Sequence, residues 1–151
     1  MKRFRFPLKP VAILRAHQEV RAREAFATAV HNYVQAEEEL SRTRVRMAAL
    51  EATLFSERKE TFRAAEAALL FADYRRECDA EVQTERVVIA AREEMHKRRE
   101  DYIDAHRKVE VVEHLETKAR SAHRRECDRE EQAEFDDFAS RRRLNAFSPA
   151  Q

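Results

Sequence analysis

Residues 22–54, AREAFATAVHNYVQAEEELSRTRVRMAALEATL, carry a single stripe: Ala22, Phe26, Ala29, Tyr33, Ala36, Leu40, Thr43, Met47, Leu50 and Leu54. The steps between these positions alternate four and three throughout. A period of 3.5 residues keeps one seam turned toward a partner helix and winds the pair left-handedly. Small residues near the start of the stripe allow close helix approach, while Leu and Met thicken its later half. An amphipathic helix of this kind leaves its apolar stripe wet unless something covers it. The seam therefore requires a second helix.

The rest of the chain supplies one. Pro10 suits the first turn of a helix, where its missing N–H costs nothing. The next proline is Pro149, 138 residues separate the two, and the chain contains no Gly. As one rod this would reach roughly 200 Å at 1.5 Å per residue, and folding back is the economical alternative. Between Ser56 and about Ala68 the stripe loses register, and Ser56 and Thr61 are the available N-cap residues there. The expected fold class is all-α: a long two-helix antiparallel coiled-coil hairpin with the second helix longer. It forms a single coiled-coil domain over 1–151. Helix 1 covers about 10–57, the turn about 58–65, helix 2 about 66–143, and a frayed tail 144–151. Leu69, Val82, Ile89, Met95, Tyr102, Val109, Val112 and Ala119 are the apolar landmarks of the second helix. Its surplus of ~30 residues, ~45 Å of helix at 1.5 Å per residue, should project past the first helix or find other cover. The pattern leaves two other arrangements open: a kinked continuous helix, and a three-helix bundle with a second break near Arg98–Asp101.

Composition sets limits on function. Charged residues make up 39% of the chain, 30 basic against 29 acidic, and hydrophobic residues 43%. That apolar content and the seam argue against a disordered polymer. Interleaved charge with a net of +1 is no footprint for duplex nucleic acid, which calls for a basic face. The longest apolar run, Val87–Ala91, is far short of the ~20 residues a membrane span needs. No direct membrane insertion is expected, and no signal-peptide core follows the basic N-terminus. Cys78 and Cys127 lack metal-site spacing and read as free thiols of a reducing, cytoplasmic compartment.

Catalytic chemistry finds no scaffold. Glu37–Glu39 and Asp136–Asp137 pair carboxylates, but catalytic carboxylates need a cleft that drives their pKa values apart. His123 and Cys127 stand four apart on one helical face, and Glu93 with His96 forms one Glu-x-x-His unit; neither has further ligands beside it. Without glycine no phosphate loop or nucleophile elbow of the usual kind can be built. The expectation is a protein without enzymatic activity, cofactor or metal, acting by contact with other proteins.

The ends carry more signal. Through Arg23 the chain holds Lys2, Arg3, Arg5, Lys9, Arg15, Arg21 and Arg23 against Glu19 alone. The other end is acidic from Asp128 to Asp137 and then basic at Arg141–Arg143, where cations also complement a helix C-terminus. Phe4, Phe6, Phe135 and Phe138 add aromatic groups that a plain rod would not need. Arg75-Arg76-Glu77-Cys78-Asp79 recurs as Arg124-Arg125-Glu126-Cys127-Asp128, an offset of 49 residues or seven heptads. Compositional bias on a solvated face and a local duplication both account for it.

Three of these stretches, in order, resemble the FliJ family of flagellar type III export proteins, with the YscO-type injectisome stalks as relatives. They are Phe4-x-Phe6-x-Leu8-x-x-Val11 followed by Leu14-Arg15, then Ala36-Glu37-Glu38-Glu39-Leu40, and finally Phe135-Asp136-Asp137-Phe138-Ala139-Ser140-Arg141. The resemblance covers nearly the full chain. It implies a rod similar to the central stalk of rotary ATPases, set in the pore of a hexameric export ATPase. It also implies contacts with the export gate, a membrane protein, and with export chaperones, at the inner-membrane face of the flagellar base. On that likeness Phe4, Phe6, Leu8, Val11, Leu14, Phe135, Phe138 and Arg141 would face the ATPase, and Leu50 and Tyr74 the export gate. Thr43, Arg46 and Glu85 make the latter stretch more polar than the family pattern. The competing reading is a structural or chaperone-like coiled coil, as a homodimer, unrelated to secretion.

Overall fold

The computed structural model describes residues 3–57 and 63–146. Two helices make up nearly all of it: α1, Lys9–Glu57, and α2, Ala64–Ala146, of 49 and 83 residues. There is no strand among the described residues. Pro10 lies in the first turn of α1, as its fixed φ favours, and no described residue has a positive φ. Ser56 does not cap α2. It sits in the last turn of α1, its hydroxyl donating to the Thr53 carbonyl at 2.9 Å. The expected turn at about 58–65 falls largely on residues 58–62, outside the described residues, as do Thr61 and residues 147–151 of the expected tail. α2 runs unbroken through Arg98–Asp101, which removes the three-helix alternative.

Packing divides the chain into two compact units, Val20–Asp104 and Met1–Glu19 with Ala105–Gln151. Within Val20–Asp104, α1 and α2 pair antiparallel: Arg46 meets Glu77, Arg44 meets Glu81 and Glu85, and the Phe26 ring stacks on Tyr102 with centroids 6.3 Å apart. As the number falls on one helix it rises on the other, so this is a hairpin and not one kinked helix. All ten positions of the α1 stripe are buried or half-buried, with Ala29, Leu40 and Thr43 the deepest.

The α2 seam passes through the expected Met95 and Tyr102 but differs from the expected one before them. Its covered positions are Ala67, Leu70, Tyr74, Glu77, Glu81, Thr84, Val88, Ala91, Met95, Arg98 and Tyr102, again in alternating threes and fours. Leu69, Val82 and Ile89 are 68%, 48% and 58% exposed and lie off the seam. The polar residues Glu77 and Glu81 occupy seam positions because α1 offers them partners, while Thr84 donates to carbonyls of its own helix, Ala80 and Glu81, at 3.0 Å. Arg46 Nε donates to Glu77 at 3.2 Å, and Arg44 donates to Glu81 at 2.8 Å and Glu85 at 2.6 Å. Amid these charges Thr43 is fully buried, donating to the Glu39 carbonyl at 3.0 Å and accepting from Arg46 Nη2 at 2.9 Å. Both arginines have their pKa raised, first by these hydrogen bonds to glutamate.

Candidate partner-binding surfaces

In the unit of residues 1–19 and 105–151, the first helical turns of α1 pack on α2 through Ala12, Arg15 and Glu19 against Ala105, Val109, Val112, Glu116 and Ala119. Val112 is the buried apolar residue of this contact. Glu19 takes a seam position and accepts from or pairs with His106 Nδ1 at 2.7 Å, while Glu110 lies 3.6 Å from Nε2. The Glu19 contact, and then the charges of Glu110 and Glu113, raise the His106 pKa above its ordinary 6.5, against a smaller desolvation effect.

Residues 3–8 precede α1 and lie along α2. Lys9 N–H donates to the Phe6 carbonyl at 3.3 Å, closing the entry into the helix. Phe6 is buried, 9% exposed. Phe4 is held between two side chains of α2: the His123 ring, edge-on with centroids 5.4 Å apart, and the Arg120 guanidinium, 5.5 Å from the ring centre. An arginine over an aromatic face is attracted by the ring quadrupole. This segment is a strap whose two phenylalanines are spent on holding it down.

The expected ATPase-facing residues thus fall into three groups. Phe4 and Phe6 face α2. Leu8, Val11 and Leu14 are 39%, 38% and 55% exposed on the strap and the start of α1. Phe135, Phe138 and Arg141 lie on α2 past Glu131, the last half-buried one among the described residues; every residue from Gln132 to Arg142 is exposed. Phe135 and Phe138 are 69% and 62% exposed, with Arg142 placed 5.6 Å over the Phe138 ring. Phe4 meets α2 at His123, twelve residues before Phe135 and so about 18 Å away along the axis at 1.5 Å per residue. The structure does not bring the N-terminal and C-terminal phenylalanines together.

Leu50 and Tyr74, the expected gate-facing pair, are both half-buried on the seam of Val20–Asp104. The Tyr74 hydroxyl donates to Glu51 at 2.7 Å, and this bond, more than the neighbouring Cys78, pushes its pKa up to about 12. Cys78 and Cys127 are free thiols and half-buried; Cys127 Sγ lies 3.7 Å from His123 Nδ1. The two copies of Arg-Arg-Glu-Cys-Asp share the half-buried cysteine, but Glu77 is half-buried against Arg46 whereas Glu126 is exposed. Among the described residues no group of three or more His, Cys, Asp or Glu is placed to hold a metal ion. No described helix is long and apolar enough to cross a membrane.

Reading for apolar residues misses Glu19, His106, Arg120 and His123, which clasp the N-terminal residues. Glu19 is the one with a signal in the sequence, because stepping back from Ala22 in the same threes and fours lands on Glu19, Arg15 and Ala12.

A family model described as "Flagellar FliJ protein" matches residues 4–146. No curated protein and no solved structure matches the chain.

Proposed function

Since the chain belongs to the flagellar FliJ family, whose members serve flagellar protein export without catalysis of their own, we propose that it is the stalk of a flagellar type III export ATPase. In this reading the chain inserts into the hexameric ring, and also touches the export gate and the chaperones of exported substrates, at the inner-membrane face of the flagellar base. The observation that carries the ATPase contact is the stretch Gln132–Arg142, exposed around its whole circumference and bearing Phe135 and Phe138. Two aromatic side chains in water on a helix that nothing covers form a docking element, since aromatic anchors dominate interface energetics. Leu8, Val11 and Leu14 add a second apolar patch to the same unit.

The strap gives this surface a firm base. Phe4 and Phe6 fix the N-terminal residues on α2, so the exposed leucines are presented from an ordered segment and lose little freedom on binding. The interleaved surface charges suit contact with a ring that changes shape during turnover, because exposed ion pairs are weak and readily exchanged. In the same reading Leu50 and Tyr74, both half-buried in Val20–Asp104, are the residues that meet the export gate.

The test is hydrolysis and hexamer formation by purified export ATPase with and without this protein. Both should rise on addition, and the rise should be lost with Phe135→Ala and Phe138→Ala together. An ATPase that ignores the wild-type chain overturns the proposal.

A further inference from the structure

Within the unit of residues 1–19 and 105–151, the side of α2 turned away from α1 carries a pattern that mirrors itself. With Val112 at heptad position d and Glu116 at a, this side is formed by positions c and f, all exposed from Arg107 to Arg142. Val111 and Leu115, 59% and 44% exposed, line a groove of about 610 Å3 together with His114 and Lys118. Further along stands Phe135, 69% exposed. Val111 lies twelve residues before His123 and Phe135 twelve after it; Lys118 lies five before it and Asp128 five after. Lys108 and Asp136, on the adjoining g column, match to within two residues.

Charge reverses at the same point. From 107 to 125 the c, f and g columns hold cations and no carboxylate, and Asp128 and Asp136 follow. Lys108, Lys118 and Asp128 have no ion-pair partner among the described residues. The Asp136 carboxylate accepts from the Gln132 amide at 3.2 Å and from no cation described. Arg129, also on g, is held by Glu126 of its own helix at 3.7 Å.

Mirrored spacing with reversed charge selects the occupant. In a two-fold contact residue i meets j and j meets i, so an antiparallel second copy uses both halves of the strip at once. We propose that α2 binds α2 of a second copy along this strip, antiparallel about an axis near residue 123. Phe135 of each copy enters the groove beside Val111 and Leu115 of the other. Asp128 then meets Lys118 of the second copy, and Asp136 meets its Lys108. Ser121 and Ala122, at the axis, are small enough to let the helices approach. Arg124 meets its own counterpart at one edge, where water solvates both. From 108 to 136 the contact is about 42 Å long at 1.5 Å per residue. Phe135 is covered in this pair, so pairing and docking through Phe135 are alternative states of the chain. The dimer concerns the chain alone and stands or falls apart from the ATPase reading.

Sedimentation equilibrium of the full chain over about 1–500 μM tests it, a range suited to a contact with few buried anchors. The wild-type chain should dimerise reversibly, and Phe135→Ala should weaken the dimer about tenfold. Two charge-reversed variants decide the pairing: Asp128→Lys with Asp136→Lys, and Lys108→Glu with Lys118→Glu. Each sets like charges against one another at both ends of its homodimer and should weaken it about a hundredfold. Mixed in equal amounts, the two variants oppose every reversed charge with its complement and should associate as the wild type does. Far-UV circular dichroism of each variant checks that the helices persist. A wild-type chain that stays monomeric overturns the proposal and leaves the strip to an acidic segment of another protein. A mixture no better associated than either variant alone also overturns it, as does a dimer that neither variant weakens.

Discussion

Single side chains show where this seam is strong and where it responds to conditions. Leu40 is 9% exposed, between Thr43 and Tyr33 on the α1 stripe. Leu40→Ala should cost about 2–4 kcal/mol of unfolding free energy, read from urea denaturation followed by circular dichroism. His106 responds to pH. Its folded pKa is raised, chiefly by Glu19 and further by Glu110 and Glu113, so the protonated ring is the form that the folded state favours. The contribution is complete below the unfolded value of 6.5 and is lost as pH rises through the folded value. Amide exchange in residues 9–19 should accordingly be faster at about pH 8 than at about pH 5, beyond the intrinsic pH effect, and His106→Gln should abolish the excess. His106 does not stand out in the sequence, and Glu19 does so only through its register with Ala22, because a search for apolar periodicity passes over charged residues that have found each other across a seam.

At the level of elements, both helices were readable, but the seam of α2 only from Met95 onward, for one physical reason. Every α1 stripe position from Ala22 to Leu54 except Thr43 is apolar or aromatic, so the 3.5-residue period is visible without knowledge of the partner. On α2 the same period runs through Glu77, Glu81 and Thr84, and the apolar residues nearby, Val82 and Ile89, sit one position off it. Those carboxylates occupy the seam only because Arg44 and Arg46 reach them from α1, which is a fact about two segments together. The strap is a similar case. Phe4 and Phe6 were recognisable as aromatic groups in excess of need, but their destination depends on Arg120 and His123, more than a hundred residues away. Phe4→Ala should remove about 1–2 kcal/mol of packing, since the ring is only partly exposed. Its signature is exchange protection lost from the amides at the start of α1 while residues 22–54 keep theirs.

For the molecule as a whole, stability and partner binding should separate cleanly. Phe135 and Phe138 are largely in water already, so replacing both by Ala should leave the unfolding free energy within about 0.5 kcal/mol. The same change should remove stimulation of the export ATPase, measured in one hydrolysis assay. The exposure of these residues could be anticipated from the length of α2 relative to α1, whereas the separation of Phe4 from Phe135 could not, since it follows from where the strap lands.

The polar layer around Thr43 has a mechanical consequence. Coiled coils built from leucine alone are ladders with identical rungs, and one rail can slip against the other by a heptad at small cost. Here a slip of seven residues in one sense would set Arg44 against Val88 and Arg92, and in the other against Tyr74 and Cys78. Both leave its guanidinium without a carboxylate, where the native seating gives it two. The joint between the helices is keyed, so a pull on α1 within Val20–Asp104 is handed to α2 instead of being absorbed by sliding.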